Sequence, residues 1–374
     1  MVIMDELSRL LEDCERSIDL EHYKKTEALL KKCLRYEETD TVCMKAVYPQ
    51  DKYQLFSMEE IHSDIQKMMY NEIVSFAGRL DVKDTTLPML RANYGVGIVP
   101  SLFGLKCRIV NNNMPWVDHV GQDEVKNILK RGLPDYRSGY GARVIETYET
   151  FKEILSKYPK CSQAIKLYCP DHQGPFDIAH LIYGSDIYMD LYDEPELVQE
   201  LLDLVTETYI DTVKHIKPYL SDETGDGFCY QWGNIFPGSI LIRNDSAVNL
   251  SPSMYLEFVK PYDERIMDAF GNVAMHYCGR ADQWIHEMAK SDRIAGYNFG
   301  HVPSLKYGME FLDYVEPSLM KNKKPIVAYV LEKKELDEMD FKKYHTGITY
   351  EMQADSLEDA KRLIQICNEK LHAN

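Results

Sequence analysis

Val273-Ala274-Met275-His276-Tyr277-Cys278-Gly279 is followed, after an amphipathic stretch from Arg280 to Arg293, by Ile294-Ala295-Gly296-Tyr297-Asn298-Phe299. Two short runs rich in branched and aromatic residues, separated by a segment of helical character, read as a strand, a crossover and a second strand. Working outward, runs of the same texture occur at 92–99, 164–169, 227–232, 326–330 and 347–351, with an eighth at 239–242. Helix signals lie between them. Asp193-Glu194-Pro195 opens a stripe of Leu197, Leu201, Leu204, Val205 and Ile210, and Ser356 with Asp359 resembles a capping box before Leu357, Ala360, Leu363 and Ile364. The first eighty residues show helical spacing in Leu7, Leu11, Cys14 and Ile18 and again in Ile61, Ile65, Met68 and Ile73.

Repeated βα units close into a barrel or form an open doubly wound sheet, and periodicity does not separate the two. An open dinucleotide-binding sheet carries a G-x-G-x-x-G turn after an early strand, whereas Gly95-Val96-Gly97 reads as part of a strand and lacks the third glycine. The expectation is an α/β fold, a (β/α)8 TIM barrel over residues 91–374 with a helical extension over 1–90.

Bulk composition narrows the function. Among 374 residues, 43 Lys plus Arg face 60 Asp plus Glu, a net charge of −17 that argues against nucleic acid as a partner. The opening MVIMDELSRLLEDCERS has acids where an export signal has a basic start, and no long apolar run suggests a membrane span. Nine cysteines without a compact framework fit a reducing compartment. A cytoplasmic protein of undetermined oligomeric state, acting on a small molecule, is expected.

In parallel barrels chemistry gathers where strands end. The polar residues at those places are Asp171, His172 and Gln173, Gln231 and Trp232, Asn244 and Asp245, His276 and Cys278, Asn298 and His301, and Tyr350 and Glu351. Side chains alternate along a strand, so His276 and Cys278 face the same way, and imidazole with thiolate suits Zn²⁺. The competing reading is a hydrogen-bonded interior histidine beside a small buried thiol. Likewise Pro170 to Asp177 reads as a substrate-holding turn or as a plain βα loop, and Ser251 reads as a helix cap.

Several stretches in order resemble the uroporphyrinogen decarboxylase superfamily, which includes that decarboxylase and zinc methyltransferases acting with methyl-corrinoid proteins. They are Gly174-Pro175-Phe176 through Tyr183-Gly184, Met189 to Pro195, Asn249-Leu250-Ser251-Pro252 with Pro261-Tyr262, and His276-Tyr277-Cys278-Gly279. The resemblance implies a (β/α)8 barrel and, in the methyltransferase branch, zinc on His276 and Cys278 joined by a later cysteine. Here the only later one is Cys367, expected inside the last helix. Either Glu351 substitutes as the third ligand, or the site holds no metal. The decarboxylase branch recognises its carboxylates through an N-terminal arginine-rich motif, which Arg35, Arg79, Arg91 and Arg108 do not form.

Three functions follow. The first is a zinc-dependent methyltransferase moving a methyl group from a methyl-corrinoid partner protein to a thiol. In it Asp245 and Glu351 complete the metal shell, Asp171 and His172 assist, and Gln231, Trp232, Asn298, His301 and Tyr350 surround the substrate. The second is metal-free decarboxylation with Asp171 or Asp245 as proton donor and Arg243 holding a carboxylate. The third is a ligand-binding barrel without catalysis.

Overall fold

The computed structural model describes residues 2–222 and 225–373. Among the described residues the strands are β1 (Met44–Val47), β2 (Met89–Leu90), β3 (Cys107–Arg108), β4 (Trp116–Val117), β5 (Lys166–Leu167), β6 (Phe228–Gln231), β7 (Asn234–Pro237), β8 (Leu241–Arg243), β9 (Val273–Cys278), β10 (Ile294–Gly300), β11 (Ile326–Val330) and β12 (Ile348–Gln353). The fold is mixed α/β. A parallel six-stranded sheet runs β1-β12-β11-β10-β9-β8, β2 pairs with β5 in parallel, and β3–β4 and β6–β7 are antiparallel pairs.

Period-two alternation assigns the strand faces. Ile242, Met275, Tyr277, Tyr297, Tyr329 and Tyr350 pack with the surrounding helices in one apolar cluster. Their neighbours Leu241, Ala274, Val327 and Ala328 instead pack with Leu87, Met89 and Tyr168 around Phe228, Cys229, Tyr230, Ile235 and Phe236. The β6–β7 hairpin therefore occupies the concave side of the strand array. Leu30, Cys33 and Leu34 of the helix Leu20–Leu34 join this inner cluster, and the Tyr230 hydroxyl donates to Glu27 of that helix at 2.9 Å. Trp232 (φ +50°) and Gly233 (φ +81°) both take left-handed conformations at the hairpin tip, as a two-residue hairpin turn of the primed type requires.

The ladder is interrupted twice. Between β1 and β2 the link is one backbone bond, Thr85 N to Met44 O at 3.0 Å, and between β5 and β8 it is Gly174 N to Arg243 O at 2.6 Å. The parallel strands Met44–Val47, Met89–Leu90, Lys166–Leu167, Leu241–Arg243, Val273–Cys278, Ile294–Gly300, Ile326–Val330 and Ile348–Gln353 follow one another around the array, but hydrogen bonding does not close it.

Three sequence expectations are corrected. Segment 92–99 is not a strand; the strand is the preceding Met89–Leu90, and Gly95–Gly97 forms a 3-10 turn leading into the helix Ile98–Leu102. Gly95 sits at φ +67°, and a Cβ on Gly97 would lie 2.3 Å from Cys107 Sγ, so both glycines serve a tight turn. The run 227–232 is one arm of the hairpin. Finally, residues 1–80 are not helical throughout: between helices Leu20–Leu34 and Met58–Ser63, β1 pairs in parallel with β12. Its four residues are too few to show a period.

Elsewhere expectation and structure agree. The helix Pro195–Ile216 carries its proline in the first turn, and Ser356 caps Leu357–His372 by accepting from Asp359 N at 3.2 Å. Cys367 lies in that last helix and is buried. Among the described residues no helix is long and apolar enough to cross a membrane.

Candidate metal centre

Strand register builds the site. Across three parallel strands Arg243, His276 and Asn298 are direct partners, and two residues further on Gly300 stands opposite Cys278. Asn298 Nδ2 donates to Val327 O at 2.6 Å, so its Oδ1 is left to accept from His276 Nδ1 at 2.5 Å. Val327 O is available because the β11–β12 register slips between Ile326 and Tyr329, with Ala328 at φ +53°. With Nδ1 so occupied, Nε2 offers its lone pair to a cation or, when protonated, donates to Asp245.

His276 Nε2 lies 3.4 Å from Cys278 Sγ and 3.2 Å from Asp245 Oδ1, and Asp245 Oδ1 also accepts from Cys278 N at 2.8 Å. One nitrogen, one sulfur and one oxygen thus stand within 4.8 Å of one another. This donor set suits Zn²⁺, which accepts all three ligand types. A Cβ on Gly300 would lie 3.1 Å from His276 Cε1 and 3.2 Å from Cys278 Sγ, so the missing side chain leaves room beside the two donors.

Asp245 is positioned from behind. Asp177, in the first turn of the helix Pro175–Tyr183, accepts from Asp245 N at 2.7 Å and Ser246 N at 2.8 Å. Burial and the neighbouring Asp245 raise the Asp177 carboxyl. Burial also pushes Asp245 upward, but bonding and charge from His276 and bonding from Cys278 outweigh it and hold Asp245 below the ordinary carboxylate value. Although Cys278 is exposed as a residue, the protein around its sulfur, and then the charge of Asp245, push its thiol up to about 12. By itself this sulfur is a protonated thiol at neutral pH.

Beside the triad lies a buried charge cluster. The Arg243 guanidinium contacts Asp171, donates to Gln231 Oε1 at 3.1 Å and stacks over Trp232 at 4.5 Å. Arg91 reaches the same Asp171 at 3.1 Å. Burial, then the nearness of Arg91, lowers Arg243 to about 10. The Trp232 ring also meets the His276 ring edge-on at 5.1 Å.

Of the residues nominated from sequence, Asp245, His276, Cys278 and Asn298 come together, with Trp232 touching His276 and Gln231 and Asp171 joined through Arg243. Four stand elsewhere. His172 is buried against Cys169 and Tyr209, and burial lowers it to about 4. Tyr350 is turned into the outer core with its hydroxyl on Tyr344 O, while His301 pairs with Glu332 at 3.6 Å in a surface recess. Glu351 is not in the triad; it faces its register partner Lys45 at 2.9 Å. Tyr350 and Glu351 are adjacent on a strand, so they face opposite sides. Sequence reading missed Asp177, Arg91 and Lys45; the only signal for Asp177 was its place in the Pro170 to Asp177 turn.

No family model matches this chain and no curated protein matches its sequence. Among solved structures, a methyltransferase from Methanosarcina mazei superposes with a TM-score of 0.62 at 14% identity, covering 92% of this chain and 98% of that one. At that identity the likeness shows a shared fold, and it extends over almost the whole of both chains.

Proposed function

We propose that this protein is a methyltransferase-like enzyme of the uroporphyrinogen decarboxylase superfamily, built as a (β/α)8 barrel, in which His276, Cys278 and Asp245 hold Zn²⁺. The observation that carries this reading is the convergence of three chemically suitable donors at the C-terminal end of β9. The fold shared with a methyltransferase supports it, as does the place of the donors, where parallel barrels keep their chemistry. Zinc bound there would supply a Lewis acid that favours a substrate thiol in its thiolate form.

The residues of this chain divide the work. Asn298 orients the His276 ring, and Asp177 fixes the Asp245 backbone through two amide bonds. Trp232 meets the His276 ring edge-on and packs against it. Asp245 replaces the carboxylate expected of Glu351, since Glu351 is neutralised by Lys45. The methyl group would come from a methyl-corrinoid on a partner protein. Carboxy-lyase chemistry through Asp171 is the weaker reading, because that carboxylate is already engaged by two guanidiniums.

Elemental analysis of purified wild type, His276→Ala and Cys278→Ser, paired with a thiol-methylation assay using a methyl-corrinoid donor, tests the proposal. Stoichiometric zinc in wild type and a loss of at least about tenfold in metal affinity in each variant are expected. Unchanged metal content in both variants would remove the mechanism.

A further inference from the structure

Asn244 stands between Arg243 of the charge cluster and the donor Asp245, and it is fully buried. Its amide nitrogen extends the β8 ladder by one bond, to His276 O at 2.9 Å. Side chains alternate along the strand, so where Arg243 turns inward Asn244 follows Ile242 to the outer side, against the helix Lys260–Phe270. There its Nδ2 donates to Asp263 Oδ2 at 2.7 Å. A Cβ on Gly174 would collide with Asn244 Oδ1, so that glycine makes the room the amide occupies.

Packing does not explain this pair. Asp263 lies in the first turn of its helix, beside Tyr262, Ile266 and Met267 of the outer apolar cluster, and it is 1% exposed. Burial pushes its carboxyl up to about 8, so at neutral pH it is mostly an uncharged acid. Beyond their one bond, Asp263 Oδ1 and Asn244 Oδ1 have no partner among the described residues. Two apolar side chains of similar size would fill the space without leaving those oxygens unsatisfied. What the bond supplies is a tether on the chain immediately before Asp245. Asp177 holds the amides of Asp245 and Ser246, and Asp263 holds the side chain of Asn244.

We infer that Asp263, acting through Asn244, is a positioning residue that sets Asp245 against His276 and Cys278 from the outer side of the strand array. The inference rests on the reading of those three side chains as a donor set. Because Asn244 N is bonded to the carbonyl of His276 itself, any shift of Asn244 displaces Asp245 relative to the imidazole.

Three variants of the full chain test it, each measured for zinc affinity by chelator competition, for stability by urea unfolding and, without metal, for backbone hydrogen exchange. Asp263→Leu keeps the bulk, leaves Asn244 Nδ2 without an acceptor, and loses about tenfold in zinc affinity. Asp263→Asn offers an amide oxygen to the same Nδ2 and recovers most of that loss. The double variant Asn244→Leu with Asp263→Leu removes both polar groups together, so it regains stability relative to Asp263→Leu alone. Its zinc affinity stays down, and exchange over 244–246 stays faster than in wild type. That split decides the matter, since a pair that only fills the core would recover zinc affinity along with stability. A double variant that matches wild type in zinc affinity and exchange, or an Asp263→Leu variant as tight as wild type, would overturn the inference. A wild type that holds no zinc ends the zinc reading instead, and exchange in the metal-free variants then decides this one.

Discussion

The two sides of the strand array place their polar groups by different means. On the β8-to-β12 side an unbroken parallel ladder sets Arg243, His276 and Asn298 in one row, and backbone register alone brings the imidazole to its hydrogen-bond partner. On the β2–β5 side the strands are two residues long, the ladder stops, and a hairpin from elsewhere in the sequence fills the concave face. There Arg91 and Asp171 are held by the ion pairs that Asp171 makes with Arg91 and with Arg243 of the other side, instead of by register. A continuous ladder gives precise donor geometry; an interrupted one leaves an opening lined by side chains that hold one another through ion pairs.

Three substitutions probe that contrast. Phe236 is fully buried in the hairpin, and Phe236→Ala should cost about 3–5 kcal/mol of stability, read from urea unfolding. If the ladder alone positions the triad, zinc content in native buffer stays within about twofold of wild type despite that loss. Zinc lost in parallel with stability would show that the hairpin, through Trp232, helps to hold the site.

Asn298→Ala acts on the row itself. It removes the acceptor for His276 Nδ1 and the donor to Val327 O, and metal affinity should fall about 10- to 100-fold in a chelator competition. Undiminished affinity would mean that the ring is oriented by something other than its register neighbour. The smallest effect is expected for Glu351→Gln. Its amide still accepts from Lys45, so stability should drop by about 1 kcal/mol or less and zinc content should not change. A loss of zinc there would return Glu351 to the metal shell.

Much of the site was legible from local chemistry. The alternation of side chains along a strand put His276 and Cys278 on one side, and the run from Val273 is long enough for that period to be read. The same rule, applied at 350–351, would have separated Tyr350 from Glu351. Met44–Val47 was not legible, because four residues inside a helical region carry no periodic signal. Nor was the hairpin, since an apolar run looks the same whether it builds the wall of a sheet or fills it.

What this sequence determined by itself is the βα texture of its strands and crossovers, the caps of its well-marked helices, and the pairing of an imidazole with a sulfur two positions on. These are local properties, set by backbone geometry within a few residues. Tertiary structure alone set Asp245, and not Glu351, beside His276 and Cys278, gave Glu351 to Lys45, and opened the recess beside β1. Each depends on which strand lies next to which, and on how a distant hairpin occupies the space they enclose.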